Sequence, residues 1–414
     1  MDLKRTLGPL SEPSFARYFS AVVITQAGTY ASAIALSFAV LAASTPTALG
    51  LIFVAREIPI LVLLLAGGVL ADRLPRRYVL AGASFVAGAS QLAAAAILIL
   101  GPPNILALAS CAAVNGAAGA FARPASTGLL PQVISTSRLQ QANALVGLAP
   151  RLVGIAGAAL GSWLVTSIGA GYALAFDSLT FVLAGLLLLT LANGEAQVKR
   201  DTSLFVDLGE GWHEVRSRTW LWTLILSGAA FQFAYFPALA VLGPEIARKH
   251  LGGPSAWASI ITGELIGGII GGVIAFKIKF HRPFVVYCLA GVPMVLQLVG
   301  FALAWPLMAL VISAAFTGIG FALSGTVWFT ALQRLIPCES LSRVSSFDWL
   351  GSLMLNPLGF AAIGPLSARI GERTAMGYAA VLLAFASFGP LLVPAVASLR
   401  LPDVETEAMS EEEV

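Results

Sequence analysis

Along almost the whole chain, long apolar stretches alternate with short polar breaks. A helix needs about 20 residues to cross about 30 Å of hydrocarbon at about 1.5 Å per residue. Twelve stretches of that kind are predicted as membrane-spanning helices, over 15–42, 48–71, 77–100, 104–127, 139–167, 171–193, 219–244, 254–276, 282–304, 306–333, 343–368 and 373–396. The one long polar connection divides them six and six. The predicted organisation is an N-terminal six-helix bundle over 1–193, a linker over 194–218, a C-terminal six-helix bundle over 219–399 and an acidic tail over 400–414. Trp212 and Val215, among charges in the linker, predict a short surface helix that does not cross.

The two halves repeat one another. Gly67-Gly68-Val69-Leu70-Ala71 recurs as Gly271-Gly272-Val273-Ile274-Ala275 about 200 residues later. A second match lies between the fourth and fifth spans of each half. There Pro131 leads to Ser137-Arg138-Leu139, and Pro337 leads to Ser342-Arg343-Val344. Asn143 in the first copy falls opposite Asp348 in the second. Two matches at nearly one offset argue for a duplicated six-helix unit.

Composition narrows the class. At 58% hydrophobic and 11% charged, the 414 residues carry more apolar surface than a water-soluble domain can bury. The start, 1–17, is polar, and the apolar run after it is too long for a signal peptide, so it is expected to remain as the first span. The formal charge of +3 does not point to nucleic acid, because Lys and Arg cluster at helix ends. With the N-terminus inside, Arg17, Arg73, Arg76, Arg77, Arg138, Arg216, Lys277, Arg334 and others fall on the cytoplasmic side, against Arg248, Lys249, Arg369 and Arg373 outside. That bias predicts a cell-membrane protein with both termini cytoplasmic. Cys111, Cys288 and Cys338 have neither paired spacing nor a His/Cys cluster, which argues against disulfides, a metal site and a cofactor. No Gly-x-Ser-x-Gly element or phosphate loop is present, so neither an enzyme nor ATP drive is expected.

Gly68, Asp72, Arg73, Arg76 and Arg77 between the second and third spans resemble the hallmark loop of the major facilitator superfamily, Gly-x-x-x-Asp-Arg-x-Gly-Arg-Arg. Pro75 stands where the family has Gly. The resemblance covers nearly the whole chain. Ala120-Phe121-Ala122-Arg123-Pro124-Ala125, Gln141-Ala142-Asn143-Ala144-Leu145 and Ala175-Phe176-Asp177-Ser178 are similar to the branch of macrolide-type drug exporters and enterobactin or siderophore exporters. It implies an all-α fold of two pseudo-symmetric six-helix bundles around a midplane cavity, and transport by alternating access. It also implies that Asp72, Arg73, Arg76 and Arg77, with Gly68 and Arg138 as a partner, form a cytoplasmic gating latch. The plainer alternative is that the arginines only set topology. Phe276 replaces the acid in the second copy, so a latch there is expected to be weak. Arg151, Gly154, Gly157 and Gly161 on the fifth span resemble a degenerate antiporter signature, with Ile155 in place of its proline. Close helix packing explains the glycines equally well.

Ionisable groups inside spans are costly unless they face a partner or a cavity, so each is a candidate. The proton-coupling candidates are Glu57, Glu264 and Asp177, with Arg56, Arg123 and Arg151 as charged neighbours. Arg56 and Glu57 are adjacent, about 100° apart on a helix, and are expected to find different partners. For Glu57 a salt bridge with Arg123 or Arg151 competes with a proton-carrying role. Glu264 has no basic residue on its own span. Asp177 can equally cap or pair near the outer surface. Asp348, near the start of the eleventh span, is expected to be a helix-start or interbundle contact.

In the family the first, fourth, seventh and tenth helices line the cavity. Gln26, Tyr30, Phe231, Gln232, Tyr235, Trp328 and Phe329 are therefore the substrate-cavity candidates, although such residues are commonly packing anchors. The expectation is a monomeric, proton-coupled exporter of amphipathic small molecules, a drug-resistance-type antiporter. A dedicated siderophore or metabolite exporter, an importer and a non-transporting scaffold or receptor are the alternatives. If the latch is concentrated in the first half, Asp72→Asn disturbs gating more than any change at Phe276, measured as transport rate in vesicles. Equal effects at the two positions contradict it.

Overall fold

The chain is described by a computed structural model over residues 8–191, 212–277 and 282–400; of residues 64–73, 136, 140, 338, 339, 342, 343 and 346 only the backbone is described. Within hydrocarbon each backbone donor and acceptor must be satisfied inside its own segment, which selects helices. No strand occurs among the described residues, and twelve helices are long and apolar enough to cross a membrane. The first six are Pro13–Ala43, Pro46–Arg73, Arg76–Leu100, Ile105–Val133, Leu139–Ser167 and Ala170–Leu189. The seventh, Thr219–Leu251, and the eighth, Pro254–Lys277, follow. The ninth is broken into Pro283–Leu289 and Val292–Ala302, the tenth is Leu307–Leu335, the eleventh is broken into Cys338–Leu353 and Asn356–Ile370, and the twelfth is Glu372–Phe388.

The ends differ from the sequence expectation in instructive places. The fourth helix continues past 127 to Val133 with Pro124 and Pro131 inside it. Its start is fixed by Asn104, whose Oδ1 accepts from the Ala107 amide at 3.1 Å. The seventh runs beyond 244 to Leu251 through two π-helical segments, Ala238–Leu242 and Ala247–Leu251. Pro237 and Pro244 each remove a backbone donor there, and the widened register lets the helix carry on past them. The eleventh begins at Cys338, ahead of the expected 343. Residues 212–217 are helical, as the linker pattern predicts; Val215 is buried, and the Trp212 ring sits 5.9 Å from that of Phe347. The rest of the linker, 194–211, and the tail, 401–414, lie outside the described residues.

Two compact units cut across the sequence halves. One comprises Met1–Arg200, Leu239–Thr262 and Phe360–Glu372; the other comprises Asp201–Ala238, Gly263–Gly359 and Arg373–Val414. Inside the first unit the Phe53 and Phe360 rings are 5.0 Å apart, and Gly364 lies against Thr47. These contacts join the beginning of the second span to the end of the eleventh.

Each unit repeats the same internal contacts. In the first, Phe15, Tyr18, Val79, Leu129, Val133, Leu145 and Leu188 form a core from the first, third, fourth, fifth and sixth spans. In the second, Trp220, Leu224, Phe284, Trp328, Leu332, Val344 and Val396 form its counterpart from the seventh, ninth, tenth and eleventh spans and the segment after the twelfth. Close approaches repeat as well. A Cβ on Gly157 of the fifth span would fall 2.6 Å from the Ala27 carbonyl of the first, and Gly359 abuts the Phe233 carbonyl in the same way. Gly116 of the fourth span rests on the Arg56 carbonyl of the second, while Gly318 of the tenth rests on the Glu264 carbonyl of the eighth. The duplication therefore sets an intramembrane charge at the same kind of helix contact in both copies.

Valine at Gly116 or Gly318 has no room for its side chain. Each substitution is expected to lower thermal stability in detergent by about 1–3 kcal/mol or more. Gly119 meets open space, so Gly119→Ala leaves stability within about 0.5 kcal/mol. Equal tolerance at all three positions contradicts the helix contacts.

Candidate functional site

The charged residues of the first half gather around the contact between the second and fourth spans. Arg56 and Glu57 are half-buried on the second span, and Arg123 is exposed on the fourth. Arg123 lies within electrostatic range of both Glu57 and Arg56. Gly116 sets this up by bringing its helix down onto the backbone of Arg56. Arg123 is about two turns further along and nearly on the same face, because seven residues span close to two turns. Of the two partners expected for Glu57, Arg123 is brought near. Arg151 is half-buried on the fifth span and lies about 120° round that helix from Gly157, the residue against the first span.

Asp177 is a correction to the idea of an outer-surface cap. It is fully buried on the sixth span and accepts hydrogen bonds from Ser32 Oγ at 2.7 Å, from Gln91 Nε2 and from Thr180 Oγ1 at 3.4 Å. Those donors come from the first, third and sixth spans, so the carboxylate ties three helices together. Ser178 adds a bond to the Gly88 carbonyl at 2.7 Å, again between the sixth and third spans. Arg56 is within electrostatic range of Asp177. Sequence reasoning missed Ser32 and Gln91. The available signal was Gln91 itself, an amide in the middle of an apolar span, where such groups act as interhelical glue.

The second half has its own polar group. Tyr235 is fully buried on the seventh span and donates to Gln297 Oε1 of the ninth at 3.0 Å, with Glu264 in electrostatic range. Phe231 stacks on Tyr235 with centroids 5.3 Å apart, and Phe236 and Phe321 close a cluster of four rings. Gln232 is half-buried nearby on the seventh span. Gln297 was also missed, and an amide within the ninth span was again its signal. Trp328 is corrected from a cavity candidate to a core residue. It is 8% exposed, packs against Trp220, Phe284 and Tyr287, and donates Nε1–H to Asp348 Oδ2 at 2.9 Å. Asp348 is thereby a contact within the second unit, also accepting from Ser352 Oγ at 3.3 Å. Phe329, the next residue, is 49% exposed, while Gln26 and Tyr30 are half-buried on the first span, with Tyr30 beside Gly157.

The arginines of the hallmark loop hold helix ends. Arg76 donates to the Gly128 carbonyl at 2.5 Å, and Arg77 donates to the Leu191 carbonyl and covers the Tyr78 ring at 4.5 Å. Arg17 donates to the Thr190 carbonyl at 2.9 Å. The C-terminal end of the sixth helix thus receives two guanidinium groups, where its dipole favours positive charge. Arg138 bonds to the Gly8 carbonyl at 3.1 Å and to Ser11 Oγ at 2.8 Å, and pairs with Glu12 at 3.5 Å. Glu12 also accepts from Ser135, so Arg138 is held by the segment before the first span. The side chains of Asp72 and Arg73 lie outside what is described, and of Gly68 only the backbone is described. At the far end of the seventh span, buried Glu245 pairs with Arg248 and Lys249, and Lys249 and His250 reach Glu372.

Comparison with known proteins agrees with this architecture. The chain is 24% identical over 345 residues to the enterobactin exporter EntS of Salmonella typhimurium, covering 81% of each protein. It is 22% identical over 306 residues to YvqJ of Bacillus subtilis, described as an uncharacterized MFS-type transporter, covering 71% of each. Among solved structures, a bacterial homolog of the human lysosomal transporter Spinster, inward-facing and unoccupied, superposes with a TM-score of 0.72 at 15% identity, over 95% of this chain and 100% of the other. The nucleoside transporter NupG superposes with a TM-score of 0.75 at 14% identity, over 91% and 99%. At such identities the structural likenesses carry the fold alone. The family model described as Major Facilitator Superfamily matches residues 18–353, and the chain, a multi-pass membrane protein of that fold, belongs to this family of transporters.

Proposed function

We propose that the protein is a secondary active exporter of amphipathic small molecules, driven by protons and working by alternating access of the sequence halves 1–193 and 219–399. The observation that carries this is the gathering of Glu57, Arg56 and Arg123 on membrane-crossing helices. Holding two cations and an acid there is costly, and the cost is understandable where the groups bind or move something. Glu264 occupies the matching helix contact in the second copy, beside Tyr235. A carboxylate in such a position can exchange a proton with each aqueous phase in turn as the halves rock. Glu57 and Glu264 are the coupling pair in this reading. Asp177, with three donors on its carboxylate, holds helices together.

The hallmark loop, with Gly68, Asp72, Arg73, Arg76 and Arg77, is assigned the cytoplasmic latch, and Arg138 the anchoring of the first helix. Both termini are cytoplasmic, the membrane is the cell membrane, and the working unit is a monomer. The likeness to an enterobactin exporter supports outward transport and favours, as a second reading, a dedicated siderophore or metabolite exporter.

Purified protein in proteoliposomes with an imposed pH gradient tests this. Glu57→Gln and Glu264→Gln are each expected to cut gradient-driven flux about tenfold or more, the scale of losing a positioned proton carrier, while exchange down the compound's own gradient persists. If both variants keep full gradient-driven flux, the coupling assignment is wrong.

A further inference from the structure

We propose that the first half carries a donor-lined subsite, built from Arg56, Asn115 and Arg123, for an uncharged oxygen acceptor on the transported compound: a carbonyl, ester, lactone or amide oxygen. The inference rests on the export reading and names the chemical group that the site selects.

Two buried donors are left over where the second and fourth spans meet. Arg56 Nε and Asn115 Nδ2 have no hydrogen-bond partner among the described residues. An unmet buried donor costs about 1–3 kcal/mol, and a native fold keeps one where a ligand or water completes it in use. The two belong to one neighbourhood, because Gly116, next to Asn115, rests on the Arg56 carbonyl. Asn115, Gly119 and Arg123 follow at four-residue spacing and so share one side of the fourth helix. That side is open. Nothing lies within 4 Å of a Cβ built on Gly119, and Arg123 is exposed. An arginine in the middle of a span is not presented to hydrocarbon, so the open side faces water.

Charge then selects among acceptors. Arg56 and Arg123 are balanced by Glu57, in range of Arg123, and by Asp177, in range of Arg56. Each guanidinium already has an acidic group in range, so an incoming carboxylate competes with an anion in place and an ammonium group meets like charge. What remains is hydrogen-bond donation from guanidinium and amide N–H groups, which have no acceptor capacity of their own on those atoms. A neutral oxygen is the complement.

A matched set of probes separates the possibilities: 7-methoxycoumarin, which has a lactone; 2-methoxynaphthalene, of like shape without it; and 7-methoxycoumarin-4-acetic acid, an anion. Binding to the purified full chain is measured by fluorescence titration, and flux of a broad compound panel is measured in the same preparation after reconstitution. The coumarin is expected to bind about tenfold more tightly than the naphthalene, and Asn115→Leu or Arg123→Met to erase that preference while changing naphthalene binding by less than about twofold. Arg123→Lys, which keeps a donor, is expected to restore part of it. Equal binding of coumarin and naphthalene, strongest binding of the anion, no binding of any probe, or equal losses for all three in the variants would each overturn the subsite. Binding with the expected preference but no flux of any compound would leave the subsite standing and remove the export reading. Flux without the lactone preference would do the reverse.

Discussion

Hydrocarbon gives apolar helices no reason to leave lipid for one another, so this fold depends on how closely backbones can approach. Several of the close approaches are made by glycines lying on carbonyls of the neighbouring helix, among them Gly116 on Arg56, Gly318 on Glu264, Gly157 on Ala27 and Gly359 on Phe233. Each pair seats one helix against its neighbour, and the same scheme is written twice. Dispersion and short-range dipolar contacts then act over the full length of the helices.

That constraint also positions the chemistry. Arg56 and Glu264 stand where a glycine of the partner helix meets their backbones, so their side chains are carried at a fixed depth in the spans. In the first copy the contact gathers Arg56, Glu57 and Arg123 and leaves donors unused. In the second it sets Glu264 near Tyr235, whose hydroxyl is committed to Gln297. The copies have diverged in charge while keeping their packing. Asp177 has no such freedom, with its bonds to Ser32, Gln91 and Thr180 fastening the first, third and sixth spans together.

Much of the architecture was legible in the sequence because span length is a strong, local signal. The duplication was legible from Gly67 and Gly271 and from Pro131 and Pro337. Helix ends at Val133 and Leu251 were not, since prolines normally end a helix and here are absorbed within it. The charged candidates were legible by cost alone, but their partners were not. For Glu57 the chain offered Arg123 and Arg151 without choosing between them, and nothing announced that Asp177 would find Ser32 and Gln91, because tertiary pairing has no periodic trace. Trp328 was misassigned for the same reason. Its position on the tenth span was right, and its neighbours Trp220, Phe284 and Asp348 decided its role.

The account stands on Glu57 and Arg123 acting as one unit. A double-mutant cycle of Glu57→Gln and Arg123→Gln, read out as gradient-driven flux in proteoliposomes, measures that directly. The account predicts a combined effect departing from the sum of the single effects by more than about 0.5 kcal/mol. Simple additivity would contradict it.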